Sequence, residues 1–179
     1  MTLAPPESGA STALVLDANV LIDFCQTERS VFRLVSLHLG EVRVPLPILE
    51  EEIDQLGAGE WAELGIVPVE PPLALIEAAV ERRAGLSFHD HLCLLVARAH
   101  GARCVTNDGR LRRACLSEGI PVLWGLEMLA LLVEARGLDL TAADRLARAV
   151  QRVNPMYIND RVIDRFLARL GLKTSGPIG

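Results

Sequence analysis

Ala13-Leu14-Val15-Leu16-Asp17-Ala18-Asn19-Val20-Leu21-Ile22-Asp23 decides how the rest of the chain is read. A continuous apolar run of β-formers that stops at an acid predicts a buried parallel strand delivering Asp17 to the C-terminal edge of a sheet. In open α/β sheets ligands collect outside those strand ends, and an Asp followed two residues on by Asn19 suits a hard cation that takes oxygen ligands. The same residues also suit plain helix capping, because Asp and Asn are both good N-caps and a helix begins near Asn19. Both readings stand at this point.

The device recurs in Gly101-Ala102-Arg103-Cys104-Val105-Thr106-Asn107-Asp108-Gly109, where a short apolar strand ends in a polar residue and then an acid. Two strands that each present an Asp at their C-terminal ends are what a shared metal site in a parallel sheet requires. Arg110, Arg112 and Arg113 follow on the next helix. A third acid, Asp90, lies in Leu86-Ser87-Phe88-His89-Asp90-His91, at the start of a helix that is apolar through Leu92, Leu95, Val96 and Ala99. Ser87 resembles an N-cap with Asp90 at the capping-box position, so a structural use competes with a functional one. His89 and His91 point different ways on a helix and do not make a paired zinc site.

Glu41 to Val44 reads as a short strand ended by Pro45 and Pro47, and the following helix is expected over Ile48–Leu56. Leu49, Ile53 and Leu56 would form its inward face; Glu52 falls nearest that face and Glu51 nearly opposite, so Glu52 is the better placed to reach a site. Glu50 and Glu51 read as a solvated helix start favoured by the macrodipole. Ile66 to Val69 is a short edge segment, since Pro68 cannot serve a central strand. A helix is expected over Leu73–Arg83, and Ile120 to Trp124 is a further strand. Helices over Leu126–Ala135, Thr141–Val153 and Asp160–Leu170 complete the pattern, with Thr141 and Asn159 as caps. The alternation of strands and helices implies an α/β protein with a parallel sheet covered on both faces.

At 179 residues, half of them hydrophobic, the chain can build one core without disulfides or a structural metal. Cys25, Cys93, Cys104 and Cys115 are scattered and read as buried reduced thiols. No apolar run is long enough for a bilayer, Leu126 to Val133 being interrupted by Glu127, so a soluble, cytoplasmic protein without a membrane partner is expected. The net charge of −5 hides an asymmetry: five basic and fifteen acidic residues up to Ala97, then thirteen basic and eight acidic from Arg98 on. An acidic cluster beside an arginine-bearing surface can hold a phosphodiester backbone once cations neutralise it. Exposed helices that are simply arginine-rich would give the same count.

Asp17 with Asn19, a Glu on the second crossover helix, Asp90 in Leu86-Ser87-Phe88-His89-Asp90, and Asp108 in Val105-Thr106-Asn107-Asp108 stand in an order that resembles the PIN-domain family, which includes the VapC-type ribonuclease toxins of bacterial toxin–antitoxin pairs. The likeness spans about Leu14 to Leu132. It implies a three-layer α/β/α sandwich with a central parallel sheet and a Mg²⁺- or Mn²⁺-dependent endoribonuclease. By that resemblance Asp17, Asp90 and Asp108 form the acidic cluster, Glu52 (or Glu51, if the alignment is pinned at Pro45) joins it, and Thr106 matches a small polar position near the site; the chemistry then makes Asp17 and Asp90 the first-choice metal ligands, Asp108 a ligand or the support of one, Glu52 the residue that orients water, and Asn19, Thr106 and Arg110 the substrate contacts. An RNA substrate, an antitoxin protein and a homodimer are the implied partners. The expected organisation is a loose leader over 1–12, the nuclease domain over 13–137, a helical extension over 138–172 packed on it, and a flexible tail over 173–179. Two alternatives remain: a non-catalytic RNA- or protein-binding module of the same fold, and a phosphoryl hydrolase that acts on small substrates in a closed pocket.

Overall fold

The computed structural model describes residues 13–81 and 85–172; the expected leader, the tail, and Arg82 and Arg83 lie outside them. Five parallel strands form one sheet: β1 (Leu14–Leu16), β2 (Val42–Pro45), β3 (Ile66–Val69), β4 (Arg103–Val105) and β5 (Val122–Leu123), in the order β3-β2-β1-β4-β5. β1 is central and its three side chains are fully buried, which is why its sequence carries no polar alternation. Pro68 pairs with Val44 on edge strand β3, where its missing N–H leaves no inner neighbour unsatisfied.

The connections give three layers. α1 (Ala18–Cys25) and α2 (Ser30–His38) follow β1, and Phe24 meets Phe32 edge to face between them. α3 (Leu46–Glu51) and α4 (Ala58–Glu63) follow β2. α5 (Leu73–Val80) and α6 (Phe88–Ala99) cross back over the other face from β3 to β4, and α7 (Gly109–Ser117) lies beside α6. Seven consecutive residues of α6, His91 to Ala97, are buried. α8 (Gly125–Glu134), α9 (Leu140–Val153) and α10 (Asp160–Arg169) return to the α1/α2 side, where α9 touches α1 and α8 touches α2. All four cysteines are buried, and none is in a disulfide.

Several boundaries differ from expectation, three of them with a local cause. The helix expected over Ile48–Leu56 is α3, which starts at Leu46 and ends at Glu51 with Glu52 as its C-cap. Three carboxylates at the negative end of a helix dipole oppose its extension, so Ile53 and Leu56 reach the core from irregular backbone. The helix expected to run to Arg83 stops at Val80, where Glu81 turns extended. α9 is capped by Asp139, which accepts from Ala142 N–H at 2.8 Å, rather than by Thr141.

The turn from α4 into β3 depends on Gly65. Its φ is +73°, and a Cβ there would lie 2.9 Å from Ser36 Cβ on α2. Gly65→Ala combines left-handed strain with a side-chain clash, and we expect a loss of about 2 kcal/mol in urea unfolding. An unchanged midpoint would mean that α2 shifts freely against the turn.

Candidate active site

β1 and β4 are neighbours, yet the chain leaves β1 toward β2 and leaves β4 toward β5. Adjacent strands whose connections diverge open a crevice at their carboxyl ends. Asp17 stands there directly after β1, buried to 1 % exposure, and Thr106 directly after β4, buried completely. The Thr106 hydroxyl donates to Asp17 Oδ2 at 2.8 Å and accepts the Asp108 backbone N–H at 3.0 Å. One hydroxyl thus ties the two strand ends together. Asp17 also accepts Ala18 N–H on Oδ1 at 2.8 Å and the Asn19 amide on Oδ2 at 3.3 Å.

Asp17 is both a strand-end acid and the N-cap of α1. Asp90 is likewise double: it closes a capping box, accepting Ser87 N–H on Oδ2 at 2.9 Å while Ser87 Oγ accepts Asp90 N–H at 3.1 Å. Asp108 caps α7 with Oδ1, which accepts Leu111 N–H at 3.1 Å and the Arg110 N–H. Asp90 Oδ1 and Asp108 Oδ2 have no hydrogen-bond partner among the described residues. Capping therefore uses one oxygen of Asp90 and of Asp108 and leaves the other for a ligand, whereas Asp17 gives Oδ1 to the cap and Oδ2 to Thr106 and Asn19.

Burial, then the nearby charges of Asp90 and Glu52, push the Asp17 carboxyl up from 3.8 to about 7, against the hydrogen bonds from Thr106 and Ala18. Glu52 is half-buried, whereas Glu51 is well exposed; His89 bridges both, at 2.9 Å to Glu51 and closer still to Glu52. His89 thereby ties the start of α6 to the end of α3. Arg110 is exposed at the start of α7 and Arg113 is exposed one turn on. Arg112 is committed elsewhere, its guanidinium lying 4.5 Å over the Trp124 ring.

The donor set is oxygen-rich and negatively crowded, which fits a hard divalent cation. Among the described residues no group of three or more His, Cys, Asp or Glu side chains is placed to hold a metal ion. Mg²⁺ does not need one, since it takes one or two carboxylates directly and keeps several waters.

Behind the rim lies a network that sequence reasoning missed. Asp23, only 4 % exposed, accepts the Asn107 amide at 2.9 Å and the Asn154 amide at 2.9 and 3.1 Å. Asn107 Oδ1 in turn accepts Gly125 N–H at 3.0 Å. The network pins the residue between Thr106 and Asp108 to α1, to α8 and to the end of α9. One signal was available: Asp23 falls three residues after Val20, on the buried face of α1, where an acid needs partners.

A comparison with protein-family models matches the PIN domain over residues 14–116. No curated protein and no solved structure matches the chain. Because that match covers more than half of the chain and takes in Asp17, Glu52, Asp90, Thr106 and Asp108, the chain belongs to the PIN-domain family.

Proposed function

We propose that this protein is a metal-dependent endoribonuclease. PIN domains are generally nucleases; the observation that carries the finer reading is the buried Asp17 carboxylate, tied to Asp108 through Thr106 and crowded by Asp90 and Glu52. Crowding of this kind makes a site hungry for cations, because binding one relieves the repulsion. Asp17 and Asp90 are the direct ligands, and Asp108 is a ligand or holds a metal-bound water. A Mg²⁺ or Mn²⁺ ion, when bound, supplies charge neutralisation at the phosphoryl group and acidifies a water. Thr106 and Asn19 hold the Asp17 carboxylate in one orientation, Glu52 orients the attacking water, and Arg110 meets a backbone phosphate. No helix among the described residues is long and apolar enough to cross a membrane. The toxin of a two-gene module, with an antitoxin covering the rim and a homodimer as its assembly, is the biological setting we favour. A neighbouring reading frame for a small DNA-binding protein would support it.

The test is incubation of single-stranded RNAs with the purified chain in Mg²⁺, Mn²⁺ or chelator. Cleavage is expected only with the cation; undiminished cleavage in chelator overturns the proposal. Metal-independent RNA binding without products would favour the non-catalytic module. Asp90→Asn and Asp108→Asn separate chemistry from capping, since Asn keeps the accepting oxygen each cap uses. Each is expected to slow cleavage on the order of 100-fold while shifting stability by less than about 1 kcal/mol.

A further inference from the structure

The turn after β4 has two sides. Thr106 and Asp108 belong to the acidic rim, whereas the alternate residues, Asn107 and Gly109, line a separate cavity of about 400 Å³ between α8, α10 and the 154–159 connection. The cavity is within the size range of small-ligand pockets. Phe166 is part of its buried lining, Trp124 stands beside the rim, and Tyr157 and Met156 stand on the connection at 51 % and 81 % exposure. Two large apolar side chains held out in water next to an apolar hollow have no use in the fold.

The charges differ from those of the rim. Glu127 also lines the cavity, but its Oε2 accepts the Trp124 backbone N–H at 2.8 Å and pairs with the Arg112 guanidinium at 3.9 Å. Arg169 is held by Glu134, while Arg165 is exposed and forms no salt bridge among the described residues. The cavity therefore pairs flat aromatic surface with an uncommitted cation, directly beside a site that suits a phosphodiester. A single-stranded RNA presents that combination: a base with two π-faces on a chain of anions. An apolar peptide segment would fill the hollow but leave Arg165 unanswered.

We propose that this cavity is a nucleobase subsite, receiving an unstacked base of the single-stranded RNA whose backbone lies on the acidic rim. The inference rests on the ribonuclease reading and extends it: Tyr157 is the stacking surface, and Arg165 contacts a phosphate next to the captured base. Substrate choice then depends on the C-terminal helices, which lie beyond the residues that match the family model.

The test uses the full chain carrying Asp17→Asn, so that RNA is bound without turnover, and fluorescein-labelled single-stranded RNA oligomers, intact or with one abasic position moved along the strand. Tyr157→Ala is expected to weaken binding of intact RNA about 10-fold and Tyr157→Phe less than about 2-fold. One abasic position should weaken the parent by a similar factor and leave Tyr157→Ala unaffected, because the lost base and the lost ring are the same contact. Arg165→Ala should flatten the salt dependence by about one phosphate contact. Tyr157 is exposed, so these variants fold. Equal binding of intact and abasic RNAs at every position by parent and Tyr157→Ala overturns the subsite. So does a Tyr157→Ala chain that binds RNA normally but no longer binds a protein partner, which would assign the cavity to that partner. Cleavage by the otherwise unaltered chain is read separately: if it persists in either case, the subsite falls and the ribonuclease stands, and if no RNA is bound or cut, both fall.

Discussion

Asp17→Asn is expected to abolish RNA cleavage and, in chelator at pH 8, to make the protein more stable than the parent. Asp17 is 1 % exposed, and burial followed by the repulsion of Asp90 and Glu52 raises its carboxyl to about 7. A group whose folded-state value lies above its unfolded value of 3.8 favours the folded state in acid. That stability declines as pH rises from about 4 to about 7 and is absent above it. The shift corresponds to about 4 kcal/mol of penalty for the ionised form, at 1.36 kcal/mol per unit. Asn removes the charge but offers one acceptor where Asp17 has two. Ala18 N–H keeps its partner, while the Thr106 hydroxyl and the Asn19 amide lose theirs, at about 1 kcal/mol each. The net gain is about 2 kcal/mol, read as a higher urea midpoint. Adding Mg²⁺ or Mn²⁺ should then stabilise the parent, through binding to the folded state alone, and leave the variant nearly unchanged. Cleavage should fall on the order of 1,000-fold. A variant less stable than the parent at pH 8 would show that the hydrogen bonds to Asp17 outweigh its burial, and the site would then be structural.

This coupling of instability to chemistry explains what the sequence could and could not disclose. The strand ends at Asp17 and Asp108 were legible because parallel strands buried on both faces read as unbroken apolar runs, and an acid at the end of such a run stands out. Capping and function were set against each other at Asp17 and Asp90, but a carboxylate has two oxygens: at Asp90 the fold uses one for the helix, and at Asp17 it uses one for the helix and the other to tie β1 to β4 through Thr106. Glu52 was picked from the triplet by assuming a helix through Leu56. The helix ends earlier, yet Glu52 still faces inward because it is the C-cap, half-buried against His89. Asp23, Asn107 and Asn154 were invisible as a set: they lie 84 and 131 residues apart, and nothing local marks an asparagine at a helix end as the partner of a distant acid. The cavity beside the rim was hidden for the same reason, since it exists only where α8 and α10 meet the 154–159 connection.

Asp23→Ala tests how far the rim depends on that hidden network, and its effect is expected to be largest in acid. Burial raises the Asp23 carboxyl to about 6, against the hydrogen bonds from Asn154 and Asn107. Asp23 is paired with two amides rather than with a cation, so it is stabilising while protonated and loses that contribution as pH rises from about 4 to about 6. Alanine removes the acceptor shared by both amides and leaves a small void. An unsatisfied buried amide costs about 1–3 kcal/mol. The deficit should therefore be about 4 kcal/mol at pH 5. Above pH 6 it should shrink by about 1–2 kcal/mol, as the parent takes on the burden of an ionised buried acid. A deficit that grows with pH would reverse the sign, meaning that the amides hold Asp23 ionised more strongly than burial opposes it. Cleavage supplies a second readout. Asn107 sits between Thr106 and Asp108 and keeps its bond to Gly125 N–H, so the turn survives in the variant, but with freedom to drift. Displacements well under 1 Å in a catalytic turn are enough to slow a reaction about 10-fold, and we expect that loss well below the unfolding midpoint. It should appear in the turnover rate at saturating RNA, because Asp23 touches no substrate and acts by holding two segments, the turn that carries Thr106 and Asp108 and, through Asn154, the start of the 154–159 connection.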